Sequence, residues 1–474
     1  MRKTTLLLVL SVLSISVAMW GSATAEETAE SGKVFGFPLT SESGAALKSL
    51  SEGVNQYEYL RVTVSLGHLR DAVKADPNFA IAHLTLARTT TDPAERLREF
   101  KRAEQLTSRA SEDEQLMIRW FTRAEQSRLI DAITAMNELL ARYPKNKRLQ
   151  FAAAVFYNAQ GAHDRAREAC QRALEIDPNY GPALNELGYE YAFVRQVDKA
   201  IPLMERYIAL LPNEPNPQDS YAEILRMSGR FDAAIMHYRK ALALDAHFDS
   251  SQVGIADTLQ LMGRFDEARA EYEKAVAMVP DEDTKLQYLE RSAQTYVRAK
   301  DYAGADRAYS ALSARAHKAL KSEEEAQILR TMAMYQQNDE KAFALLDQAT
   351  AALYTGNISA AAKTTALSFI LRDRAVRGAR VNRPEIATKS ISELQALYDR
   401  TTRADVLEAL NISRGAFFLS QNKKSEASLL LQDAQDDAVG LYLLQSALPS
   451  EQAAAAREKL AAIHELTIEQ AITR

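Results

Sequence analysis

Cysteine is nearly absent: Cys170 is the single thiol in 474 residues. No intramolecular disulfide can form, so the fold must hold without staples. Cys170 falls at a helix-packing position and reads as a small buried apolar residue. A catalytic thiol would need an electropositive, partly exposed setting. Breakers are scarce too, with 17 glycines and 13 prolines. With abundant Ala, Leu, Glu, Arg and Gln, that scarcity points to helix throughout, and no strand-like alternation of useful length appears. The seven histidines (His68, His83, His163, His237, His247, His317 and His464) are scattered. No two stand four apart on a helix face, so no metal site is expected. There is no glycine-rich phosphate loop, no G-x-S-x-G and no His-Glu-x-x-His. The expectation is therefore no catalytic residue, no cofactor and no enzymatic activity. A formal net charge of −5 argues against general nucleic-acid binding.

Beyond the first 25 residues no apolar run is long enough to span a membrane. Within them, Arg2 and Lys3 give a positive start and Leu6 to Trp20 is apolar, diluted by serines. Ala23 and Ala25 then offer small residues before acidic Glu26 and Glu27. That is the pattern of a secretory signal peptide over residues 1–25, cleaved after Ala25. An uncleaved anchor is the alternative, although a spanning helix needs about 20 apolar residues. No cysteine follows the run to carry a bacterial lipid anchor. The expected location is periplasmic or secreted, with no integral span after cleavage.

What the chain has is periodicity. Ala132, Ala166, Ala200, Ala234 and Ala268 each stand 34 residues apart. So do Pro144, Pro178 and Pro212, with Ala246 and Pro280 in the next two slots. Ala154, Gly188, Ala222 and Ala256 form a third series of the same period, every member small. The spacing implies two amphipathic helices of about 14 residues per unit. Gly161, Gly229 and Gly263 mark the turn between them, with Arg195 in the fourth. Gly188 lies mid-helix, where glycine costs about 1 kcal/mol relative to alanine. A small residue there lets the second helix approach closely. Asp177-Pro178 closes the second helix, because the residue before proline is pushed out of the α region.

These residues resemble the tetratricopeptide repeat family. Residues 181–214 carry the pattern most closely, through Leu184, Leu187, Gly188, Tyr191, Ala200 and Pro212, with Leu184 in the usual tryptophan slot. The resemblance implies an all-α, right-handed superhelical solenoid of about a dozen antiparallel helix pairs. It divides the chain into a linker over 26–45, divergent units over 46–112, a well-matched array over 113–282, a further unit over 283–319 and a degenerate helical region over 320–474.

The resemblance also implies where binding occurs. In the family the first helices line a concave groove that holds a partner's segment. Mapped here, that groove includes Phe151, Asn158, Asn185, Tyr189, Asp219, Glu223, Arg226, Val253, Asp257, Gln260 and Glu290. Some family members grip the carboxylate tail of heat-shock chaperones with lysines in these slots; this chain has none there. Asp219, Glu223, Asp257 and Glu290 instead suggest an acidic stripe, relieved by Arg226, that prefers a polar or basic segment.

One basic run stands apart: Arg372, Arg374, Arg377, Arg380 and Arg383 fall within twelve residues. Arg374, Arg377 and Arg380 offer a patch for an anionic partner; the alternative is a solvated helix end with arginines at the negative pole of its dipole. The implied function is a non-enzymatic scaffold or adaptor for protein partners in a bacterial cell envelope. The alternative is a regulatory or substrate-binding module for a peptide, glycan or other anionic ligand.

Overall fold

A computed structural model describes residues 33–434, 437–461 and 467–473. The expected signal peptide and the start of the expected linker lie outside the described residues. The described residues are all-helical, with 25 α-helices, the first 24 of them in consecutive pairs. The pairs are α1 (Gly44–Glu58) with α2 (Val62–Ala75), α3 (Ala80–Thr89) with α4 (Pro93–Leu106), α5 (Glu112–Glu125) with α6 (Leu129–Arg142), and α7 (Lys147–Ala159) with α8 (His163–Ile176). They continue as α9 (Gly181–Phe193) with α10 (Val197–Leu210), α11 (Pro215–Met227) with α12 (Phe231–Leu244), α13 (Asp249–Leu261) with α14 (Phe265–Met278), and α15 (Glu282–Arg298) with α16 (Tyr302–Lys318). The last are α17 (Ser322–Tyr335) with α18 (Asp339–Thr355), α19 (Ala360–Arg380) with α20 (Pro384–Thr401), α21 (Ala404–Ser420) with α22 (Lys424–Leu431), and α23 (Ala438–Ala447) with α24 (Ser450–Ala461). Helix α25 (Ile468–Thr473) has no second helix among the described residues.

The 34-residue series are the contact points of the pairs. Ala132, Ala166, Ala200, Ala234 and Ala268 are completely buried, as are Ala154, Ala222 and Ala256. Cys170 is buried in the same layer, and burial pushes its thiol pKa up, with Glu186 and Glu190 adding to the shift. Close approach shows directly at Gly254, where a Cβ would stand 2.2 Å from the Tyr238 ring. Gly161, Gly229, Gly263 and Arg195 all take positive φ, so one left-handed residue reverses the chain between the helices of each of these four pairs. Leu60, Ser127, Lys300, Asn382 and Asn422 do the same in pairs where glycine is missing. After the second helix, Asp76, Asp177 and Asp245 each accept a hydrogen bond from the backbone N–H two residues on. Such Asx turns stop one helix and aim the next.

The contacts divide the chain into two compact units. The N-terminal unit runs through Tyr221 and includes Ala241–Phe248; the C-terminal unit holds Ala222–Lys240 and everything from Asp249. Within each, first helices touch first helices as well as their own partners. Thus α1 meets α3, α3 meets α5 and α7 meets α9, while α13 meets α15, α15 meets α17 and α17 meets α19. First helices therefore line one common inner face in each unit.

Two features depart from the sequence reading. The expected linker is packed: Val34, Phe35 and Phe37 are buried, and the Phe37 ring lies 5.5 Å from that of Tyr143. Arg148 donates to the Val34 carbonyl at 2.9 Å, and Thr40 N–H donates to Glu114 at 3.0 Å. Gly36 takes φ +82°, and a Cβ there would strike the Asn146 side chain. The region after residue 320 is regular but built on a longer repeat. Helices α18 to α21 run 17 to 21 residues, so the 34-residue frame is lost while the pairing persists.

Candidate functional site

The inner face of the N-terminal unit is polar and largely covered. Asn158 donates its amide to Glu186 at 2.7 Å and to Glu190, and His163 Nδ1 lies 2.9 Å from Glu190. Burial pushes the Glu186 carboxyl up to about 7, with the neighbouring Glu190 adding and the Asn158 amide opposing. Tyr189 is buried, stacked on Phe193 with ring centroids 6.1 Å apart. Asn185 is buried, and its Oδ1 accepts no hydrogen bond among the described residues. Phe151 packs edge-on against Tyr180, whose hydroxyl donates to Glu58 at 2.6 Å. Arg148 donates to the same Glu58 oxygen at 2.7 Å. Helix α1 thus reaches α7 and α9, although 90 to 122 residues separate the partners. Arg88 stacks on Phe121 at 3.7 Å from the ring centroid, and burial lowers its guanidinium pKa to about 10. Sequence reasoning missed Arg88 and Glu58, because neither falls in the series that define the repeat.

In the C-terminal unit the expected acidic stripe is not an open row of charges. Glu223 pairs with Arg226 at 2.8 Å. Asp257 is 2% exposed and accepts from the Tyr272 hydroxyl and from Arg291. Val253 and Gln260 are buried, and the Gln260 amide lies 3.1 Å from that of Gln294. Glu290 accepts from Thr331 at 3.2 Å, and burial pushes its carboxyl up to about 7 against the pull of Thr331, Arg330 and Arg291. Arg291 and Arg330 come from adjacent first helices, and a row-by-row reading of one repeat does not find them. Asp219, the remaining member, is buried on α11 in the N-terminal unit.

The basic run is spent mostly on its own chain. Arg377 is 7% exposed and donates to Asp339 and to the carbonyls of Ala333 and Gln336. Arg374 pairs with Asp347. Arg380 alone of the expected three is well exposed, at 65%, with Asp339 3.7 Å away. The run lies on α19 facing the preceding pair, so the patch reading is corrected: most of these guanidiniums are structural.

A second polar centre, unexpected from the sequence, occupies the inner face of the C-terminal unit. Arg372 is 1% exposed and donates to Asp437 at 2.9 Å, to Glu469 at 2.8 Å and to Asp373 at 2.9 Å. Arg330 donates to Asp373 at 2.6 Å and also to Glu469. Both guanidiniums stand within 5.2 Å of the Phe369 ring centroid. Burial opposes ionisation of Glu469 and is outweighed by Arg330 and Arg372, which hold its carboxyl well below the usual range. No group of three or more His, Cys, Asp or Glu side chains suited to a metal ion occurs among the described residues. No helix among them is long and apolar enough to cross a membrane.

Family models named "Tetratricopeptide repeat" match residues 122–181 and 225–292, two parts of the region through which the 34-residue series run. Over those two segments the chain is similar to the tetratricopeptide repeat. Its repeats are similar to part of the Hsp70-Hsp90 organizing protein of Triticum aestivum, 30% identical over 95 residues. That match covers 20% of this chain, and the chain spans only about a sixth (16%) of that relative. Among solved structures, MamA protein is 19% identical over 37% of this chain and 94% of its own, with a TM-score of 0.29. The Cut9–Hcn1 hetero-tetramer of the APC/C is 13% identical over 85% of this chain and 76% of that one, with a TM-score of 0.43.

Proposed function

We propose that this chain is a tetratricopeptide-repeat protein, a non-catalytic scaffold or adaptor exported to a bacterial envelope, that holds segments of partner proteins against its inner faces. The observation that carries the reading is the lining of the first helices. It combines aromatic anchors, Tyr189 and Phe193, with polar groups such as Asn185 Oδ1 that are buried and left without a partner. A buried acceptor without a donor costs roughly 1–3 kcal/mol, which a partner's N–H or hydroxyl recovers. Asp219 on α11, in the N-terminal unit, adds a preference for a polar or basic segment. The export reading rests on Arg2, Lys3, the apolar run Leu6 to Trp20 and the small residues before Glu26. The reading through an anionic ligand finds less support, because Arg374 and Arg377 already serve carboxylates and carbonyls of this chain.

Photocrosslinking tests it. A photoreactive residue at Pro182 on inner helix α9 is compared with one at Lys240 on second helix α12. Capture of one protein from position 182 and not from 240, abolished by Asp219→Lys, is the expected result. Equal capture from both positions contradicts the inner-face reading. Capture that persists in the lysine variant contradicts the preference for a basic segment.

A further inference from the structure

The 25th helix has no place in the pairing scheme, and its position explains why it is there. Helix α25 touches α15, α17 and α23, all of them first helices. It lies on the inner face of the C-terminal unit, where a partner's segment belongs. Its six residues are too few to hold a helix unaided, since isolated helices shorter than about 12 residues are marginal in water. Docking therefore supplies its order. Glu469 and Gln470 are buried, and Ile468 enters the apolar cluster that holds Leu329 and Met332. Gln470 accepts from Arg298 on α15 at 2.8 Å, while Glu469 is shared by Arg330 on α17 and Arg372 on α19. The anchors are thus one carboxylate, one amide and one isoleucine on a single turn. That is how a bound peptide is read, by a few buried side chains.

We infer that the Arg330–Arg372 cradle is a peptide-binding site for a helical segment carrying a buried glutamate, and that α25 is its ligand in cis. The ligand class follows from the donors. Nη2 of Arg330 and Nη2 of Arg372 meet at one oxygen of Glu469, a two-donor arrangement that suits a carboxylate. Asp373 and Asp437 hold the two guanidiniums in place from the other side. They also balance the two positive charges, so the cradle stands without Glu469 and the helix can leave. A partner presenting Ile-Glu-Gln, or a close mimic, exchanges with α25. This rests on the reading that inner faces hold segments, and it names the chemistry of one of them.

The test uses a fluorescein-labelled peptide with the sequence of residues 467–474 and two forms of the full chain. One is unaltered; the other carries Ile468→Ala and Glu469→Ala, which releases α25 in place. The released chain is expected to bind the peptide at least about tenfold more tightly than the unaltered chain. The same peptide with Glu469→Gln is expected to bind the released chain at least about tenfold more weakly, since losing one partner of a buried charge pair is costly. Equal binding by the two chains, or of the two peptides, overturns the inference. So does collapse of the helical circular dichroism of the released chain, which would make α25 part of the core. A second measurement leaves the chain unaltered. Excess glutamate peptide should speed hydrogen exchange in residues 468–473 and the glutamine peptide should not; no acceleration by either overturns the inference. Failure here leaves crosslinking from Pro182 in the N-terminal unit untouched, so the two readings fail separately.

Discussion

The two units solve the same packing problem with different chemistry. In the N-terminal unit, from α7 to α10, helices of 13 and 14 residues repeat on a strict 34-residue frame, and small residues carry the contacts. Its inner face is held by hydrogen bonds such as Asn158 to Glu186 and by the separate, half-buried Arg148–Glu58 pair. In the C-terminal unit, from α15 onward, most first and second helices lengthen and the frame is lost. Its inner face is held by a buried ionic centre joining three helices and the N-cap of a fourth: Arg330, Arg372, Asp373, Asp437 and Glu469. A repeat of small side chains can be copied from unit to unit. An ionic centre specifies one place in the chain and cannot be copied. The difference suggests a general surface in one unit and a specific one in the other.

The largest expected effect tests that contrast at its centre. Arg372→Met leaves Asp437, Asp373 and Glu469 buried with one cation among them, and should cost about 3–5 kcal/mol. Urea denaturation should show that loss, and hydrogen exchange should show it within α17 to α25 and not within α1 to α9. Next, Gly254→Ala drives a Cβ into the Tyr238 ring and should cost about 1–3 kcal/mol. If the change is neutral, the close approach of α12 and α13 is not required.

A pH comparison sharpens the N-terminal half. The Glu186 carboxyl is raised from its usual 4.5 to about 7. Below pH 4.5 it is protonated both folded and unfolded and costs nothing. As pH rises from 4.5 toward 7 the folded state pays to keep it neutral, so stability falls across that window. Glu186→Gln should therefore stabilise the chain by roughly 3 kcal/mol more at pH 8 than at pH 4.5. Equal melting shifts at both pH values would show that this carboxyl is not raised. The smallest effect concerns the turns. Lys300 takes φ +59° where Gly161, Gly229 and Gly263 stand in other pairs. Lys300→Gly should stabilise by about 1 kcal/mol in a thermal melt, relief of left-handed strain outweighing the added chain entropy.

What was legible in the sequence follows the same division. The turn residues Gly161, Gly229, Gly263 and Arg195 were readable because one backbone conformation recurs at one spacing. Cys170 was readable because it occupies a helix-contact slot. Val34 to Phe37 was not, since a short extended stretch carries no period and its partners, Tyr143 and Arg148, lie more than 100 residues away. The arginine run was visible as charge, but its direction was not. Arg372 and Arg377 turn inward because Asp437 and Asp339, far off in the chain, wait for them. The groove slots named the right helices but overstated their openness. Asp257 and Gln260 are covered because residues of the next first helix, Arg291 and Gln294, fill the space beside them.

The central claim is that first helices form the binding surface. The most direct measurement is hydrogen exchange of the full chain with and without the partner captured from Pro182. Slowed exchange in α7 and α9, with α8 and α10 unchanged, is the predicted result. Protection confined to the second helices would contradict the account.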